Sequence, residues 1–306
     1  MSTKPSLWKF GGLTPLQLGK RVNNQLSKDE VSVRAASLAY YFILAVFPAL
    51  LFVISIVGFF AAVNGQFQQE LFTNMSRMLP GSAADLVHKT IEQVSVGSGT
   101  WKMVAGILGA LWAASSGVTA VMGSLNVAYA VKETRPWWKQ KAIAIGLTFA
   151  LAVLVIAALA ITLFGGMAAD FVGSHVGLGN ALVIAWKVVQ WPVVLALMFA
   201  AFALTYYAAP NLKEPEWHWI SPGSALGLIA WLAASIGFKI YLHFFNSYSK
   251  TYGSLGAVII LLVWLYITGY VILLGGEINS EIGRAIEKRE QHEQKLRRIN
   301  EGRAAA

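Results

Sequence analysis

Six stretches of the chain contain no Asp, Glu, Lys or Arg: 35–69, 103–131, 142–169, 188–212, 219–238 and 251–276. A helix needs about 20 apolar residues to cross a bilayer, and each stretch accommodates one. The pattern predicts an all-α protein, a polytopic transmembrane bundle of about six spans. These fall within 35–63 and near 103–127, 142–165, 183–209, 220–245 and 254–276. A straight helix over all of 35–63 would measure about 43 Å, against a hydrocarbon core of about 30 Å. The first span therefore tilts, extends beyond the core, or kinks at Pro48. The division that follows is a polar N-terminal segment (1–34), a membrane domain (35–281) and a charged tail (282–306).

Between the first two spans lies one long connection, 64–101. Phe67, Leu71, Met75 and Met78 recur at helical spacing. A Pro80-Gly81 turn with Ser82 as an N-cap then leads to a second apolar face at Leu86, Val87, Ile91 and Val94. The reading is two amphipathic helices, lying on the outer membrane surface or capping the bundle. In the tail, Ile282, Ile286, Leu296 and Ile299 give a thin apolar stripe on a charged helix, with Glu293 and Arg297 at i,i+4.

Composition agrees with a membrane class: 56% of residues are hydrophobic and 13% charged, where soluble domains average about 25% charged. The net charge of +9 would suit nucleic acid, but its distribution favours a membrane explanation, and no nucleic-acid partner is expected. Eighteen of the 24 Lys and Arg fall in the N-terminal segment, the loops after spans two and four, and the tail. The excess of positive charge on one side places both termini in the cytoplasm. Trp137–Trp138 and Trp217/Trp219 flank the same side, as aromatic belts do. The first apolar run is preceded by 34 polar-rich residues and reads as an uncleaved anchor.

The absence of cysteine removes disulfide, thiolate-metal and Cys-nucleophile chemistry. The five histidines, His88, His175, His218, His243 and His292, are scattered without H-x-H or H-E-x-x-H spacing, so no metal and no cofactor is expected. There is no G-x-S-x-G elbow. Any ATP drive would come from a partner, because no nucleotide-binding motif is present. The expectation is a protein that is not an enzyme.

Polar groups inside spans are costly and often functional, which makes them the candidates. Lys239 and His243 stand at i,i+4 in span five, with Tyr252 following. They either line a polar path or, in the case of Lys239, snorkel outward. Where span six ends, Glu277, Asn279 and Glu281 are expected to share a cytoplasmic cluster with Glu133, Arg135 and Arg34. In that cluster Arg135 or Arg34 pairs with Glu277, or Glu277 stays free for a substrate. Spans two and six also share Trp-x4-Gly-x5-Gly, at Trp112/Gly117/Gly123 and Trp264/Gly269/Gly275. An asparagine follows each, Asn126 and Asn279. This is either a weak parallel repeat or coincidence. In both cases Gly117, Gly123, Gly269 and Gly275 are expected to pack helix on helix.

The stretches AASLAYYFILAVFPALLF (35–52), LWAASSGVTAVMGSLNVAYAVKETR (111–135), YSKTYGSLGAVIILLVWLY (248–266) and LLGGEINSE (273–281) resemble the YihY/BrkB family of bacterial inner-membrane proteins. The resemblance covers roughly 30–283. It implies about six transmembrane helices and a multi-pass inner-membrane location. The family has carried the label ribonuclease BN and links to virulence and serum resistance, and envelope lipid transport has been suggested for it. Two functions fit these features. One is transport or flipping of a lipid or envelope precursor, with membrane lipids as partners. The other is a non-transporting scaffold that binds envelope proteins or a second copy of itself. Ribonuclease activity is the weak third.

Overall fold

Local sequence sets the first helix boundary. Thr14 accepts the Gln17 amide, the Gln17 side chain accepts the Thr14 amide, and Pro15 opens the helix, which together form a capping box at the start of α1 (Pro15–Lys28). The chain turns through Asp29 and Glu30, the latter left-handed at φ 51. Arg34 Nε, donating to the Asp29 carbonyl at 2.8 Å, holds this corner. A computed structural model describes residues 7–63, 100–176, 179–212, 221–244 and 254–304. The expected amphipathic pair in 64–101 lies outside these except for its last two residues, and Tyr252 lies outside them too.

Six further helices follow: α2 (Val31–Val63), α3 (Thr100–Ala128), α4 (Trp137–Val176), α5 (Gly179–Ala208), α6 (Pro222–Phe244) and α7 (Ser254–Ala304). No strand occurs among the described residues. Among the described residues, five segments are long and apolar enough to cross a membrane: 108–128, 137–162, 183–208, 222–243 and 258–301. The other expected span falls on α2, whose described apolar stretch Val31–Val46 is shorter than that, while the helix continues past Pro48 to Val63. Along the outer faces Leu108, Val153, Leu159, Ile184, Val188, Ile236 and Val258 are exposed. An apolar surface of that extent requires lipid around it.

The bundle is organised around α7, which packs on α1, α2, α3 and α6, while α4 and α5 form a hairpin. Glycines set the close approaches. A Cβ at Gly117 of α3 would touch Ala45 and Phe42 of α2 at 3.4 Å, and one at Gly269 of α7 would lie 3.1 Å from Leu38 Cβ, also on α2. The main core, Leu38, Met122, Leu125, Leu147, Tyr206 and Leu273, joins α2, α3, α4, α5 and α7. A second cluster seats α1 on α7 through Leu18, Val22, Ile278 and Ile282. Because Gly11 and Gly12 lie against Ala285 and Arg289, the N-terminal segment and the tail sit at the same end of the bundle. The tail is not a separate helix. α7 runs unbroken for 51 residues, since nothing in EINSEIGRAIEKREQHEQ stops a helix.

Gly123 departs from the expectation. It is exposed, and a Cβ there would meet nothing within 4 Å, so it is not a packing glycine. The shared Trp/Gly spacing places it on the outer face of α3, while its counterpart Gly275 is enclosed.

Candidate functional site

The end of the bundle that carries both terminal segments contains a polar layer inside apolar packing. Its first half fastens the α3–α4 loop to the α5–α6 connection. α3 stops in a Schellman turn: Val131 N donates to the Asn126 carbonyl and Ala130 N to that of Val127, with Ala130 left-handed at φ 52. This turn holds buried Asn126 where its Nδ2 donates to Glu133 Oε2 at 2.9 Å and its Oδ1 accepts the Asn211 amide at 2.7 Å. The Asn211 side chain donates in turn to the Lys132 carbonyl and Thr134 Oγ1, both at 2.8 Å. Arg135 grips Glu133 with Nε and Nη2, at 2.8 and 2.7 Å, and reaches the Ala209 carbonyl at 3.0 Å.

The second half mirrors the first on α7. Asn279 Oδ1 accepts the Gly223 amide at 2.8 Å, and its Nδ2 donates to Ser221 Oγ at 3.0 Å. Ser221 caps α6 by accepting the Ser224 amide. The two asparagines that follow the Trp/Gly pattern thus each accept a backbone N–H, at opposite ends of the α5–α6 connection. Directly above, the backbones of α6 and α7 touch. A Cβ at Gly223 would fall on the Gly275 carbonyl, and one at Gly275 would fall on the Tyr206 hydroxyl. Tyr206 donates from there to the Ile272 carbonyl at 2.9 Å. Asn279→Ala would leave the Gly223 amide unsatisfied, at a cost of about 1–3 kcal/mol. Thermal unfolding of the purified protein in detergent reads this loss.

Glu277, two residues before Asn279 on α7, is fully enclosed, at 0% exposure. Neither carboxylate oxygen accepts from a donor group among the described residues. The groups that act on it are Asp29, whose carboxyl lies within side-chain hydrogen-bonding reach, Arg284 and Glu281. Arg284 is engaged elsewhere: it donates to Glu281 at 2.8 Å and to the Ala128 carbonyl at the end of α3 at 3.1 Å. The Tyr129 ring packs one residue away, within 4 Å of where a Cβ on Gly276 would stand.

The residues expected to cluster divide in their pairing. Arg135 is held by Glu133 and Arg34 by the Asp29 carbonyl, so neither reaches Glu277. The reason is local: Glu133 is two residues from Arg135, and the α1–α2 corner lies beside Arg34. Lys239 stands elsewhere, exposed on the outward face of α6 with Ile236 and Ile240. His243, which makes a contact of its own, is exposed as well. The pair does not line the bundle interior. Asp29, Tyr206, Asn211, Ser221 and Arg284 were not among the sequence candidates. Only Arg284, at i,i+3 from Glu281, carried a local signal.

In the α3–α4 loop, outside the spans, the ionisation of Glu133 is strongly shifted. The Arg135 hydrogen bonds, helped by Asn126, hold the Glu133 carboxyl at about 2 instead of the ordinary 4.5, and partial burial works the other way. A carboxylate depressed in the folded state contributes stability that is present above 4.5 and lost as pH falls toward 2. Glu133→Gln is expected to flatten that part of the profile of thermal midpoint against pH.

An all-helical bundle with lipid-facing walls and a buried polar layer at one end defines a polytopic integral membrane protein. Comparison with known proteins then fixes the family. The model of the family described as virulence factor BrkB matches residues 22–300, and the chain belongs to the BrkB family. It is 31% identical over 261 residues to a Bacillus subtilis (strain 168) protein named ribonuclease-like protein YfkH, covering 85% of this chain and 93% of that one. It is 29% identical over 279 residues to a UPF0761 membrane protein of Alteromonas mediterranea, covering 87% of each. A UPF0761 membrane protein of Vibrio parahaemolyticus is 28% identical over 275 residues, 86% of this chain and 81% of that one. No solved structure matches.

Proposed function

We propose that this protein moves an amphipathic lipid or envelope precursor across the bacterial inner membrane, with Glu277 as the group that takes up a proton or meets the cationic part of the substrate. The observation that carries the reading is the enclosed Glu277 carboxylate. A buried charge without a donor is expensive, and ionisable groups inside membrane bundles mark substrate or proton paths. The layer around Glu277 is fastened at Asn126 and Asn279, both of which hold the α5–α6 connection. The positive charge on the termini side supports a cytoplasmic location for this end. Purified protein in liposomes loaded with labelled lipid tests the proposal. Translocation faster than in protein-free vesicles is expected, and equal rates with folded protein contradict it.

A scaffold role is the second reading, favoured by the exposed tail of α7, where Leu296 and Ile299 lie open beyond the packed segment. The ribonuclease wording belongs to the Bacillus protein. Among the described residues no three His, Asp or Glu side chains gather as a metal site, which is the arrangement that metal-dependent nucleases use.

A further inference from the structure

A second feature lies away from the Glu277 layer. Where α2, α3 and the start of α4 meet there is an open groove of about 400 Å³, walled by Tyr41, Trp112 and Trp137 and floored by Ser116, Thr119 and Lys141. The Lys141 ammonium stands 4.6 Å from the centre of the Trp112 ring and donates to the Trp112 carbonyl at 3.0 Å. The Trp112 and Trp137 rings are 6.1 Å apart. Among the described residues no acidic side chain lines the groove.

We infer that this groove is a binding site for the anionic, phosphate-bearing headgroup of a membrane lipid. An ammonium has three donors and Lys141 uses one on the Trp112 carbonyl, so the others remain for phosphate oxygens. Trp and Tyr are the side chains that settle at headgroup level, with an apolar body toward the chains and a polar edge toward water. Basic pockets between helices hold anionic headgroups in the same way. About one helical turn from Tyr41 and Trp112, Leu44 and Leu108 are exposed apolar side chains against which acyl chains would lie. The assignment rests on the membrane class alone and holds whether or not the protein transports.

The test is native mass spectrometry of the full-length protein released from detergent containing phosphatidylglycerol or phosphatidylcholine. Wild type is expected to retain phosphatidylglycerol in preference to phosphatidylcholine. Lys141→Gln is expected to weaken that retention about fivefold, the worth of one lysine near an anionic surface. Lys141→Arg is expected to keep it, and Lys139→Gln, an exposed neighbour, is expected to leave it unchanged. Equal retention of the two lipids, or wild-type retention in a folded Lys141→Gln protein, overturns the assignment. So does Lys141-dependent binding of inorganic phosphate in lipid-free detergent, which would make the groove a site for a soluble anion.

Discussion

Gly223→Ala is expected to prevent the bundle from closing around α7. The added methyl would meet the Gly275 carbonyl, which is backbone, and the Asn279 amide that holds the Gly223 N–H. Neither can move without separating α6 from α7. Overpacking of this kind costs about 1–3 kcal/mol, and loss of the Asn279 hydrogen bond adds about 1 kcal/mol. Gly275→Ala should behave similarly, since its methyl would displace the Tyr206 hydroxyl from the Ile272 carbonyl. Gly123→Ala is the internal control. In open space on a helix it should raise stability by up to about 1 kcal/mol. Size-exclusion profiles after a heat challenge would order the three. A Gly223→Ala protein as stable as wild type would show that α6 and α7 do not pack as described.

Glu277→Leu is expected to make the protein more stable and inactive. Replacing a buried charge by an apolar side chain of similar volume is commonly stabilising by about 1–4 kcal/mol. Here the removed oxygens have no donor among the described residues, and Asp29 and Glu281 would lose a like charge nearby. A fall in thermal midpoint instead would mean that Glu277 is a structural group with donors of its own. The opposed directions of stability and activity make this variant informative, because a residue kept for folding would lower both.

The positions of the helices were legible because charge-free runs leave few alternatives. Runs read at 103–127, 183–209 and 220–245 became helices Thr100–Ala128, Gly179–Ala208 and Pro222–Phe244. α4 begins earlier than its apolar run, at Trp137, because Lys139 and Lys141 are good helix formers outside the hydrophobic pattern. The neighbourhood of Glu277, Asn279 and Glu281 was legible too, as the polar end of a long apolar run. The pairing was not. Arg135 found Glu133 within its own loop, Asn126 and Asn279 found backbone amides, and Glu277 was left enclosed. Those choices depend on which helix faces meet, and the glycine contacts at 223 and 275 decide that. Which of its two expected positions Lys239 takes was not legible for a related reason. Span five is apolar on all sides, so its periodicity does not reveal which face looks inward.

The most direct test is labelled-lipid translocation in liposomes by wild type, Glu277→Gln and Lys239→Ala at matched amounts of folded protein. Glu277→Gln keeps the size and polarity of the side chain and removes its charge. Transport by wild type and by Lys239→Ala, with Glu277→Gln reduced to the rate of protein-free vesicles, is the predicted result. Unchanged translocation by Glu277→Gln would contradict the account, because the enclosed carboxylate would then have no part in what the protein moves.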